Sequence, residues 1–281
     1  VKLFLVLATT LLLSGCAHQA NEKCGTSPIE IPSAVASKNV LVLGEVHGSA
    51  EAPAFIGDLA CQFLARGERV NIGLEIPNDE QMRIDLYLTS AGKDVDKRAL
   101  IASPQWQRIN GLHDGRTSIA MLDLIERARM LNTNGHNVHV YAIDAVWNDL
   151  APNETRDQVM AKNVRNVVKN DSARKTLILV GNAHSRKSSA SWQEEAPMNS
   201  LFGELKTVSF NVSYVGGEAW QCRPVSGATK CGVSELGSCR KSSAEPRKMY
   251  FSQDAADESH DGFFTLGCIT ASLPAATLFA K

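Results

Sequence analysis

Residues 39–47 read NVLVLGEVH, and residues 175–184 read KTLILVGNAH. Each is a short apolar run that ends in a glycine, with a histidine three places on. A run of this length, closed by glycine, reads as a strand buried on both faces. VNIGLEI at residues 70–76 and VHVYAI at 138–143 have the same character. Between and around them lie stretches with helical spacing, at residues 50–66, 79–91, 96–102, 118–133 and 155–170. In the fourth, Ile119, Leu122, Ile125, Ala128 and Met130 fall on or near one face. Near-continuously apolar strands alternating with helices predict an α/β fold, a mainly parallel sheet with helices on both faces. After residue 180 the pattern changes. Residues 208–214 and 218–222 read as hairpin strands around Gly216 and Gly217, and residues 263–266 as one more.

That fold class predicts where chemistry collects. In open parallel sheets, ligands bind outside the carboxyl ends of the strands. The four strands end in Glu45 and His47, in Glu75, in Asp144, and in His184. Imidazole titrates near neutral pH and serves as acid, base or metal ligand. A neighbouring carboxylate orients it or raises its basicity. Glu45 and His47 lie two apart, so an extended backbone sends both side chains the same way. Asp144 also suits the cap of the segment that follows it.

The composition narrows the alternatives. The chain has 281 residues, with 29 Lys and Arg against 30 Asp and Glu and a formal net charge of -1. Near-neutrality excludes a general electrostatic grip on nucleic acid. No Gly-x-Gly-x-x-Gly follows a strand, and there is no phosphate-binding loop or Gly-x-Ser-x-Gly turn.

The first residues carry a different signal. Lys2 is followed by an apolar run and then by Leu13-Ser14-Gly15-Cys16. The run is shorter than the roughly 20 residues of a spanning helix. It reads as a secretory signal peptide over residues 1–15, closed by a motif that looks like a bacterial lipobox. The expectation is lipid attachment at Cys16, a tether over residues 16–38, and a place in the bacterial envelope, in the outer membrane. The membrane is then one partner, through the lipid. Setting Cys16 aside leaves Cys24, Cys61, Cys222, Cys231, Cys239 and Cys268 of the 7 cysteines. These can pair in an oxidising compartment, and the spacing does not choose the pairs. The expected core spans residues 39–215, and residues 216–281 form a cysteine-rich extension packed on it or completing it.

LGEVHG at residues 43–48, GLEIP at 73–77 and GNAH at 181–184 resemble the superfamily of erythromycin esterases, Tiki-type proteases and ChaN-type haem-binding lipoproteins. The resemblance covers residues 39–185 and leaves the cysteine-rich tail unexplained. It implies two Gly-x-x-His turns, a glutamate on the strand between, and an arginine on a helix before the second turn. That arginine is Arg156, in RDQVMAKN, or Arg116, in HDGRTS. The catalytic set is then Glu45, His47, Glu75, Arg156 and His184. His47 is the expected base and His184 the acid, with Arg156 at a developing oxyanion. In the Tiki-like branch Glu45, His47 and His184 hold a divalent metal ion that activates water for hydrolysis. In the esterase branch a histidine acts without an obligatory metal. In the ChaN-like branch the protein binds haem without catalysis, and Tyr214 or Tyr250 is a candidate axial ligand. The expected partner at the site is a small-molecule or peptide substrate, or haem.

Overall fold

A computed structural model describes residues 28–108, 113–239, 246–254 and 258–280. The signal peptide, Cys16 and most of the tether lie outside the described residues. The strands are β1 (Val40–Glu45), β2 (Val70–Pro77), β3 (Val138–Asp144), β4 (Lys175–Gly181), β5 (Thr207–Val225), β6 (Ala228–Glu235), β7 (Met249–Phe251) and β8 (Gly262–Ile269). They form one sheet in the order β3-β2-β4-β1-β5-β8-β7, and β6 pairs only with β5. All neighbours from β3 to β8 run parallel. β7 is antiparallel to β8, and β6 to β5. The α/β fold with a mainly parallel sheet is therefore the observed one.

The helices are α1 (Ser33–Ala36), α2 (Glu51–Ala65), α3 (Gln81–Leu88), α4 (Asp94–Leu100), α5 (Ile119–Thr133) and α6 (Arg156–Asn170). The pleat sends alternate strand residues to opposite faces. Leu41, Leu43, Ile72, Leu74 and Leu177 pack with Phe55, Leu59, Leu122 and Ile125 of α2 and α5. Val40, Val42, Ile143, Ile178 and Val180 pack with Met160, Ala161, Val164 and Val168 of α6. Each such buried Val, Leu, Ile or Phe contributes about 1.5–3 kcal/mol, so both faces must be covered.

The C-terminal third differs from the sequence reading at one point. Residues 208–214 and 218–222 are not two arms of a hairpin. They belong to one strand, β5, which runs through Gly216 and Gly217. These glycines serve close backbone approach, Gly216 to residues 237 and 238 and Gly217 to β8. The β5–β8 register shifts between Tyr214 and Gly216, and a Cβ on Gly217 would overlap the Ile269 carbonyl. The hairpin turn comes later, at Ser226 and Gly227, both at positive φ, between the paired Val225 and Ala228. Two central residues at positive φ match the right-handed twist of the strands they join.

Two disulfides tie this region. Cys222 and Cys231 face each other across the β5–β6 hairpin, and Cys239 bonds to Cys268 of β8. Cys61 is disulfide-bonded as well. No described helix is long and apolar enough to cross a membrane.

Candidate active site

β1 and β2 are not neighbours in the sheet, because β4 lies between them. Even so, His47 beyond β1 reaches Glu75 of β2. Gly181, the last residue of β4, makes this possible. A Cβ there would sit 2.9 Å from His47 Nε2 and 3.5 Å from Glu75 Oε2. With no side chain in the way, the imidazole crosses over the end of β4. The Gly181 amide then donates to Glu75 Oε2 at 2.6 Å. Glu45, His47, Glu75, Arg116, Arg156 and His184 line one open cleft of about 490 Å³.

His47 is held between two carboxylates. Its Nδ1 lies 3.0 Å from Glu45 Oε1, and its Nε2 lies 3.4 Å from Glu75 Oε2. Burial disfavours the charged ring, but Glu75 and Glu45 outweigh it and push the His47 pKa up to about 10. Burial raises the pKa of Glu45, against the pull of His47. Its Oε2 is buried without a hydrogen-bond partner. Burial also works to raise Glu75, yet the charges of His47 and Arg156 hold it well below the usual carboxylate range.

Two guanidiniums share the buried acids. Arg156 donates through Nε to Asp144 Oδ1 at 2.7 Å, and through Nη2 to Asp144 Oδ2 at 2.6 Å and Glu75 Oε1 at 2.5 Å. Arg116 donates through Nη1 to Asp144 Oδ2 at 2.9 Å, and through Nε to Asp114 Oδ1 at 2.9 Å. Burial opposes the charge of both, but Glu75 and the aspartates raise their pKa values further. The sequence left Arg116 and Arg156 as rivals for one role, and the fold brings both to the cleft. Asp144 takes both arginines and also accepts the Ala145 amide at 2.7 Å.

The second histidine has a different setting. Arg156 Nη1 donates to His184 Nε2 at 2.9 Å. A guanidinium has no lone pair, so Nε2 is the acceptor of that pair. The ring proton is then on Nδ1, which donates to Asp157 Oδ1 at 2.8 Å. Asp157 also accepts the Met198 amide. α6 supplies both partners from its first turn. Thr155 caps it, in a capping box with Gln158, and Arg156 and Asp157 follow.

This donor set does not fit a divalent cation. Glu45 and His47 are hydrogen-bonded to each other, His184 is bonded to Asp157 and Arg156, and two guanidiniums stand among the carboxylates. Among the described residues, no three His, Cys, Asp or Glu side chains are grouped to hold a metal ion. Tyr214 packs against the core and Tyr250 is at the surface, and neither lines the cleft.

The sequence reading missed Asp157 and Asp114. An acid in the first turn of a helix reads as a favourable charge near the helix dipole, which hid the role of Asp157. His113, His136, His139 and His260 do not line the cleft. His113 is buried and bonds Thr117 Oγ1 at 2.7 Å. His260 has a partner far away in sequence, Ser185 Oγ at 2.9 Å. The hairpin brings Gln221 and Cys222 to the cleft wall.

Similar solved structures exist at low identity. A mutant of the erythromycin esterase EreC, in its open conformation, aligns with a TM-score of 0.60 at 13% identity, over 85% of this chain and 92% of that one. A Bacillus cereus protein aligns at 0.53 and 13% identity, over 85% of this chain and 90% of its own. A succinoglycan biosynthesis protein aligns at 0.52 and 11% identity, over 95% of this chain and 100% of its own. The chain has the erythromycin-esterase fold. No family model matches the sequence, and no curated protein matches it.

Proposed function

We propose that this protein is a hydrolase that splits an acyl bond, ester or amide, with water activated at the carboxyl rim of the sheet. The observation that carries this reading is the different set of partners around the two histidines in one cleft. His47 is held as an imidazolium between Glu45 and Glu75. His184 keeps a lone pair at Nε2, with its Nδ1–H on Asp157. A charged ring beside a ring with a free lone pair makes an acid and a base, each worth about 10²–10⁴ in rate.

The roles expected from sequence are exchanged in this reading. Water takes the position at His184 Nε2 that Arg156 Nη1 occupies, and gives its proton to that nitrogen as it attacks the acyl carbon. Asp157 stabilises the imidazolium that forms. The Nη1–H freed from His184 turns to the oxyanion, while Asp144 and Glu75 hold the rest of the guanidinium. His47 gives its proton to the leaving oxygen or nitrogen as the acyl bond breaks. The products are a carboxylic acid and an alcohol or amine. The proton on His184 returns to His47 through solvent, so one water is consumed and both rings are reset. No step passes through a metal ion.

The test is hydrolysis of a panel of alkyl esters, lactones and amides by the wild-type protein, His184→Ala and His47→Gln. The reading expects activity that both substitutions abolish. Activity that survives both substitutions contradicts it. We also propose that Cys16 carries a lipid in the bacterial outer membrane. Cys16→Ser should then move the protein from the membrane to the soluble fraction; retention at the membrane overturns the anchor.

A further inference from the structure

The cleft is lined by polar and charged side chains, and an exposed aromatic ring stands against one of them, Arg156. Trp147 opens the turn Trp147–Asp149, three residues beyond Asp144. It is 60% exposed. Singly exposed apolar side chains are ordinary. What sets Trp147 apart is its contact with the catalytic machinery. The guanidinium carbon of Arg156 lies 5.8 Å from the centre of its ring. A cation over an indole face holds the ring in place, and Arg156 is itself held by Asp144 and Glu75. The result is a positioned aromatic surface that adjoins Arg156, the cleft residue assigned to the oxyanion. Trp buries a large apolar face at low entropic cost when a flat partner stacks on it.

We propose that Trp147 is a specificity-determining platform for a ring carried by the substrate. The acyl bond enters the charged floor, and a ring with an apolar face, from a sugar or an aromatic group, stacks on the indole. This rests on the hydrolase reading and names its substrate class as acyl compounds of ring-bearing alcohols or amines.

The experiment measures kcat/KM of the full chain for three acetyl esters: 2-naphthyl acetate, methyl 6-O-acetylglucopyranoside and acyclic n-butyl acetate. The wild-type protein should prefer a ring ester to n-butyl acetate. Trp147→Ala should reduce that preference about tenfold, mainly through KM, and Trp147→Phe should restore most of it. Met82→Ala, at an exposed position of α3 that does not line the cleft, should leave the preference as in the wild type. Whether the naphthyl or the sugar ester shows the larger loss identifies the source of the ring. A preference unchanged in Trp147→Ala, or no ring preference in the wild type, overturns the proposal.

If the wild-type protein hydrolyses none of the three, the panel of esters, lactones and amides decides the hydrolase reading, and binding judges Trp147 by itself. N-acetylglucosamine and acetanilide are titrated while tryptophan fluorescence is read. Quenching in the wild type that is lost in Trp147→Phe supports the platform. Absence of quenching, or quenching that persists in Trp147→Phe, overturns it.

Discussion

Arg156 Nη1 stands 2.9 Å from His184 Nε2. Because arginine can only donate, this pair fixes the side of the imidazole that bears the lone pair. Asp157 fixes the other side, 2.8 Å from Nδ1. Adjacent residues of one helical turn therefore set the tautomer of a histidine 28 residues away from Arg156 in sequence.

Asp157→Asn keeps an oxygen for the Nδ1–H but removes the charge that stabilises the imidazolium. It should lower kcat by at least about 10²-fold with little change in KM. Steady-state kinetics on an alkyl ester that the wild type accepts measure this. A loss confined to KM would place Asp157 in substrate binding instead.

Gly181→Ala puts a methyl group 2.9 Å from His47 Nε2, where the ring must move. The contact with Glu75 should lengthen, and the His47 pKa should fall from about 10 toward its ordinary value. Overpacking of this kind costs about 1–3 kcal/mol, so the fold should survive. NMR titration of His47 in this variant is the measurement. An unchanged pKa would mean that the glycine is not what lets the two side chains meet.

His47 also links stability to pH. Its folded pKa, about 10, lies above the ordinary value of 6.5. A raised pKa favours the folded state fully below the unfolded value. That stabilisation should fade between about pH 6.5 and 10, and be gone above. The Tm gap between the wild type and His47→Gln should therefore be widest near pH 6 and shrink steadily as pH rises to 10. A gap that widens across that range has the wrong sign for an imidazolium held by Glu45 and Glu75.

The four parallel strands and their helices were legible because both periodicities are strong. Val40 to Leu43 alternate between two apolar layers, and α6 carries its apolar residues on one face. The rim was legible too, since a parallel sheet gathers the ends of its strands. The order of the strands was not. Nothing local in residues 175–184 says that β4 inserts between β1 and β2, so the need for Gly181 beneath His47 was invisible. Asp157 was hidden by looking like an ordinary helix-start acid. Gly216 and Gly217 looked like a turn because a glycine pair usually is one. Here Gly216 allows close approach to Gly237 and Ser238, and Gly217 to Ile269, contacts that are distant in sequence.

The central claim is that one cleft holds a charged His47 beside a His184 whose lone pair is at Nε2. Nitrogen-15 NMR of the histidine side chains at pH 8 tests it without any substrate. The account predicts both ring nitrogens of His47 protonated, and His184 protonated at Nδ1 alone. A neutral His47 at that pH, or a His184 bearing its proton on Nε2, would contradict it.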